Sequence, residues 1–189
     1  MKDEESATRK PLDRHEWIEG AIDALADEGV AGMRVESLAK RFGVTKGSFY
    51  WHFRDRQDLV DAVLQAWKAG RIGGSDAPAA QAREQLLQII DVDGSDRKDV
   101  AIELAVRDWA RRDAQAGAVV EAVDRYRLES ASRLFVACGL GDKEAKSRSV
   151  LLYAYLLGLS LMAFDRHDPK IVDAKRWIVE RIVPDPVDS

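Results

Sequence analysis

The run Val44-Thr45-Lys46-Gly47-Ser48-Phe49-Tyr50-Trp51-His52-Phe53 combines polyanion-binding side chains with an aromatic spacing that suits a short helix. A helix laid in the DNA major groove needs polar or cationic residues at its amino-terminal end and small residues where backbone approaches backbone. Thr45, Lys46 and Ser48 are placed to reach phosphates or base edges, and Gly47 lets a duplex come close. Tyr50 can donate its hydroxyl to a phosphate while its ring packs beneath the helix. Trp51, one position round from the core-facing residues, projects outward towards sugars or a thymine methyl. The competing reading is an amphipathic surface turn in which Lys46 and Trp51 are ordinary exposed residues.

Other chemistries find little support. His15, His52 and His167 have no metal-ligand spacing, and the chain has no G-x-S-x-G elbow, P-loop or Rossmann glycine pattern. The expectation is a protein that is not an enzyme and that uses no cofactor and no metal. The single cysteine, Cys138, excludes an intramolecular disulfide and reads as an inert buried thiol near a helix end. That usage fits a reducing, cytoplasmic compartment. The charged amino terminus predicts no secretory signal, and with no asparagine in the sequence there is no N-glycosylation site.

The net charge of −4 at first argues against a nucleic-acid partner. Its distribution argues otherwise. From Arg34 to Arg56 the cations Arg34, Lys40, Arg41, Lys46, Arg54 and Arg56 outweigh Glu36 and Asp55, a local +4, which leaves −8 for the rest. Polyanion binding follows the local field.

Helices must position these groups. Trp17, Ile18, Ala21, Ile22, Leu25 and Ala26 form an apolar stripe, with Asp13 and Glu16 as a capping box and Gly29 as the stop. A short second helix carries Val35, Leu38, Ala39 and Phe42 and ends at Gly43. Thr45 is an N-cap for about two further turns, in which Phe49 and Phe53 face the core together. Asp55 caps a fourth helix bearing Leu59, Val63 and Trp67, with Asp58 in its first turn. This spacing suggests a helix-turn-helix module. Beyond Gly70–Ser75, helices are predicted over 79–90, 100–112, 119–137 and 143–165, with a polar loop at 91–99. Pro169 opens a last helix, stopped by Pro184 and Pro186. The predicted fold is all-α: an arm over 1–11, a helix-turn-helix domain over 12–58, and a larger helical domain over 59–189. Arg9 and Lys10 in the arm either reach a neighbouring groove or are disordered.

Residues from about Asp13 to Leu59 resemble the DNA-binding domain of TetR-type (AcrR-like) bacterial transcriptional repressors. The resemblance rests on Leu38-Ala39, Phe42-Gly43-Val44-Thr45-Lys46-Gly47-Ser48-Phe49-Tyr50, His52-Phe53, Arg56 and Leu59, and covers roughly the first third of the chain. It implies that Thr45, Lys46, Gly47, Ser48, Tyr50, Trp51 and His52 contact DNA. Arg56 stands where the family usually has a lysine. Arg34 takes the place of a common capping Thr or Ser; it either contacts phosphate or lies solvated. The recognition segment has no Asn or Gln to read adenine, so specificity would rest on Lys46, Thr45, Ser48, apolar contacts of Trp51, and DNA shape.

The uncharged run Val150–Phe164 falls short of the about 20 apolar residues a membrane span needs. A helix apolar all round must be buried on every side, and pairing with a second copy achieves this. The resemblance implies that this run and the last helix form a four-helix dimer interface, with Gly158 and Ser160 permitting close approach. A two-fold pair would then read a palindrome. The resemblance also implies an effector cavity among the middle helices. Candidates to line it are Trp67, Leu86, Leu104, Arg107, Trp109, Tyr126 and Tyr153, each of which also reads as plain packing or, for Arg107, as a solvated face. The expectation is a homodimeric, ligand-responsive repressor on a palindromic operator. The alternatives are a small-molecule-binding or scaffold protein with a vestigial helix-turn-helix, and an activator or co-repressor-dependent regulator.

Overall fold

The computed structural model describes residues 12–73, 81–91, 97–163, 165 and 168–185. The arm with Arg9 and Lys10, and also Phe164, His167 and Pro186, lie outside the described residues. Among the described residues all regular structure is helical. The helices are α1 (Arg14–Glu28), α2 (Val35–Phe42), α3 (Lys46–Tyr50), α4 (Arg56–Ala69), α5 (Ala82–Asp91), α6 (Arg97–Ala110), α7 (Ala114–Ala137), α8 (Asp142–Leu161) and α9 (Pro169–Ile182). They divide into two compact units. The first comprises Met1–Gly70 with Ala101–Gly117, and the second Arg71–Val100 with Ala118–Ser189.

In the first unit, local signals set the helix ends. The Asp13 carboxylate accepts from the Glu16 backbone N–H at 2.9 Å, and Glu16 accepts from the Asp13 N–H at 2.6 Å. This reciprocal box satisfies two donors that a bare helix start leaves unpaired. Gly43 closes α2 in the left-handed conformation, φ 66°. Asp55 caps α4 by accepting from Asp58 at 2.9 Å. The core around these ends is aromatic. Trp17 meets Phe42 and Phe49 edge-on at centroid distances of 5.0 and 5.4 Å, and Phe49 stacks on Phe53 at 5.1 Å. Leu59, Val63, Leu64 and Trp67 of α4 are buried, as are Val106 and Trp109 of α6.

Several boundaries differ from the sequence expectation. Gly29 does not simply end α1 but starts a 3₁₀ turn, Gly29–Met33. Helix α3 is shorter than two turns, and Thr45 holds the N-cap backbone geometry without a side-chain capping hydrogen bond. Residues 97–99, expected in a polar loop, open α6, with Asp99 offsetting the dipole in its first turn. α7 begins at Ala114 rather than Val119, because Asp113 accepts from the backbone N–H groups of Gln115 and Ala116, both at 2.9 Å. α8 ends at Leu161, where Met162 turns extended, φ −85° and ψ 134°.

The second unit is built on Ala82, Leu86 and Ile90 of α5, Ala131, Leu134 and Phe135 of α7, Ala145 and Leu152 of α8, and Ile182 and Val183. The Arg148 guanidinium donates to the carbonyls of Arg181 and Ile182, at 3.1 and 2.9 Å, and ties α8 to the end of α9. Asp168 caps α9 by accepting from Lys170, and Pro169 stands at the first helical position.

Candidate nucleic-acid interface

Phe49 anchors α3. With its ring fully buried against Trp17 and Phe53, the residues on either side are forced outward. Trp51 is 87% exposed and Tyr50 60% exposed. The Tyr50 ring keeps only an edge contact with Phe49, at 5.2 Å, so it stands more open than a ring packed beneath the helix. Thr45, Gly47, Ser48, Trp51 and His52 line one open recess of about 660 Å³, together with Leu12 and Asp13. Five of the predicted contact residues therefore share a single surface.

The other predicted contacts are placed differently. Lys46 Nζ donates to Glu36 Oε1 at 2.7 Å, which brings the start of α2 against the start of α3. Arg34 is exposed at the N-cap position of α2 and makes no capping bond. Arg56 is half-buried, and its guanidinium donates to the Val30 carbonyl at 3.4 Å, fastening α4 to the 3₁₀ turn.

The local positive charge is largely compensated within the unit. Arg41 reaches Asp27 and Glu28 at 2.6 and 3.4 Å, and Arg54 reaches Asp58 at 3.6 Å. The Arg54 backbone N–H, donating to the Asp58 carboxylate, holds that group below the usual carboxylate range; burial opposes the shift, and the charges of Arg54 and Arg14 reinforce it. The Lys46 hydrogen bond does the same for Glu36. In the sequence Glu36 registers only as a charge. Its partner lies ten positions away across a turn, a spacing that carries no sequence signal.

The residues expected to line an effector cavity fall in both units. Trp67 and Trp109 are buried in the first, where Arg107 donates to Glu103 at 2.8 Å and Leu104 is half-buried. In the second, Leu86 is core, Tyr126 is half-buried, and the Arg127 guanidinium lies 5.9 Å from the Tyr153 ring centroid. Burial pushes the Tyr153 phenol up from its ordinary value, against the Arg127 charge. Cys138 is half-buried at the end of α7, its thiol likewise pushed up by burial. The described residues contain no cluster of His, Cys, Asp or Glu able to hold a metal. No described helix is long and apolar enough to cross a membrane.

Residues 18–63, which hold α2, α3 and most of α1 and α4, match the model of the tetR family of bacterial regulatory proteins. Over this segment the chain is similar to the tetR family. The chain is 42% identical over 52 residues to the tetracycline repressor protein class A of transposon 1721 from Escherichia coli, a match over 28% of this chain and 24% of that one. It spans about a quarter of the length of the class A and class C tetracycline repressors. The regulator TtgR of Pseudomonas putida is 26% identical over 203 residues, covering 99% of this chain and 86% of the relative. Salmonella enterica GusR shares the fold at a TM-score of 0.69 and 14% identity, over 90% of this chain and 94% of that one. A Rhodococcus transcriptional regulator does so at 0.67 and 18%, over 91% and 96%. The class A protein is named as a repressor, and TtgR and the Rhodococcus protein as transcriptional regulators.

Proposed function

We propose that this chain is a tetR-family, ligand-responsive transcriptional repressor of the cytoplasm, acting as a homodimer on a palindromic operator. Two copies of the segment Thr45–His52 enter successive major grooves, with Thr45, Lys46, Ser48, Tyr50, Trp51 and His52 as contacts and Arg34 at the phosphate edge. Arg56 acts indirectly, holding α4 to the 3₁₀ turn between α1 and α2.

Gly47 carries the reading. A methyl group built there meets only Thr45 Oγ1, at 3.6 Å, an ordinary van der Waals contact, and its φ is not positive. Nothing inside the fold requires a glycine at a helical position where alanine is favoured by about 0.5–1 kcal/mol. A close approach from outside does require one. Beside it, Trp51 offers an aromatic face to the same visitor.

Dimerisation is supported by apolar side chains that the second unit leaves open. Val150, Leu151 and Leu161 of α8, with Val172 and Trp177 of α9, are exposed. A Cβ at Gly158 meets nothing within 4 Å, which leaves room for a second helix. An effector weakens DNA binding by preferring the dimer whose reading helices are wrongly spaced; equal affinity for both spacings would shift nothing. The test is DNA affinity by mobility shift, for the protein and for Lys46→Ala and Tyr50→Phe, with circular dichroism as the folding control. Both substitutions weaken binding without unfolding. Unchanged affinity in both would remove α3 as the reading helix.

A further inference from the structure

An acidic residue occupies the proposed DNA-facing surface. Glu36 stands in the first turn of α2, and its carboxylate is 2.7 Å from the Lys46 ammonium at the start of α3. Both side chains are more than half exposed. An isolated surface pair of this kind contributes little to stability, and a carboxylate in the first turn of α2 offsets the helix dipole by only about 0.3–1 kcal/mol, so the pair is free to serve a partner. The two heads lie 2.7 Å apart, so a duplex approached by Lys46 also comes close to Glu36. Against a phosphate the carboxylate would be repelled. Against base edges it finds donors.

We propose that Glu36 and Lys46 act together as one reader of a G·C base pair, Lys46 donating to guanine and Glu36 accepting from cytosine. The inference rests on the DNA-binding function proposed above. In the major groove guanine presents O6 and N7 as acceptors and cytosine presents the N4 amine as donor. Guanine O6 and cytosine N4 are hydrogen-bonded to each other, so they lie at about 2.9 Å. The 2.7 Å spacing of Nζ and Oε1 matches that separation. An ammonium has three donors and a carboxylate about four acceptor sites, so the pair stays joined while each half contacts its base. An A·T pair suits it less well: adenine N6, the donor Glu36 would need, lies between the acceptors N7 and O4, which face the carboxylate. The hydrogen bond from Lys46 keeps Glu36 ionised, as this role requires.

The test is selection of duplexes from a randomised pool by the full chain, by Glu36→Ala and by Glu36→Gln, followed by competition binding with single-base-pair substitutions. The wild-type half-site is expected to contain one position where G·C is preferred by about 5- to 150-fold, the range of a good side-chain pair. Glu36→Ala should erase the preference at that position only, and should bind random duplex more tightly because Lys46 is released to phosphates. Glu36→Gln, which keeps a carbonyl acceptor, should retain part of it. A Glu36→Ala profile identical to wild type at every position would overturn the inference while leaving DNA binding intact. A wild-type chain that enriches no duplex would overturn the DNA-binding function, and this inference with it.

Discussion

Phe49 and Phe53 stack with ring centroids 5.1 Å apart and planes 21° from parallel. The stack joins α3 to the connection that leads into α4 and fixes which face of the short helix looks outward. A five-residue helix has no independent stability, so this packing is what holds the reading surface. Phe49→Ala should destabilise the protein by about 3–5 kcal/mol in urea unfolding. A loss below about 1 kcal/mol would mean that α3 is held by something else.

Gly47→Ala separates stability from binding. The added methyl is accommodated inside the fold, so thermal unfolding should be unchanged or raised, by up to about 1 kcal/mol. DNA affinity should fall at the same time. A variant that binds DNA as well as the parent would show that nothing approaches the helix closely there.

Gly20 behaves in the opposite way. A Cβ built on it would overlap the ring of Phe42, and a ring held edge-on by Trp17 has little room to move. Gly20→Ala should cost about 1–3 kcal/mol by overpacking, read from the urea midpoint. A neutral result would show that α1 and α2 can separate freely.

Asp58 makes stability depend on acid. Its folded pKa lies below the ordinary aspartate value, first through the Arg54 backbone hydrogen bond, so near and below about pH 4 the unfolded chain binds more protons than the native one. The contribution is therefore complete above the unfolded pKa and lost as pH falls through the folded one. Urea midpoints at pH 7, 4 and 3 should drop more for the parent than for Asp58→Asn. Parallel curves would contradict this assignment.

The open apolar positions of α8 and α9 make a separable prediction about assembly. Leu151→Glu with Trp177→Glu should give monomers in sedimentation velocity and leave the helical signal intact, because both side chains are exposed within the chain. Dimers that survive the double substitution would place the interface elsewhere.

What was legible in the sequence was local. The Asp13–Glu16 box and the Gly43 stop are signals three or four residues long, and the structure uses them as expected. The aromatic pair Phe49 and Phe53 was legible from its four-residue spacing. The Asp113 cap is not legible in the same way, because Ala116, three residues on, cannot complete a capping box. Glu36 was missed as the partner of Lys46, and Val30 as that of Arg56, because a turn and a 3₁₀ segment bring them together. Contacts of that sort depend on chain path, not on periodicity.

The salt dependence of binding to a duplex enriched from a random pool tests the central claim most directly. Phosphate neutralisation by paired reading helices predicts that log affinity falls linearly with log salt, by about 0.9 for each phosphate contacted, with a shallower slope for Lys46→Ala. Failure to enrich any duplex, or an affinity that does not change with salt, would contradict it.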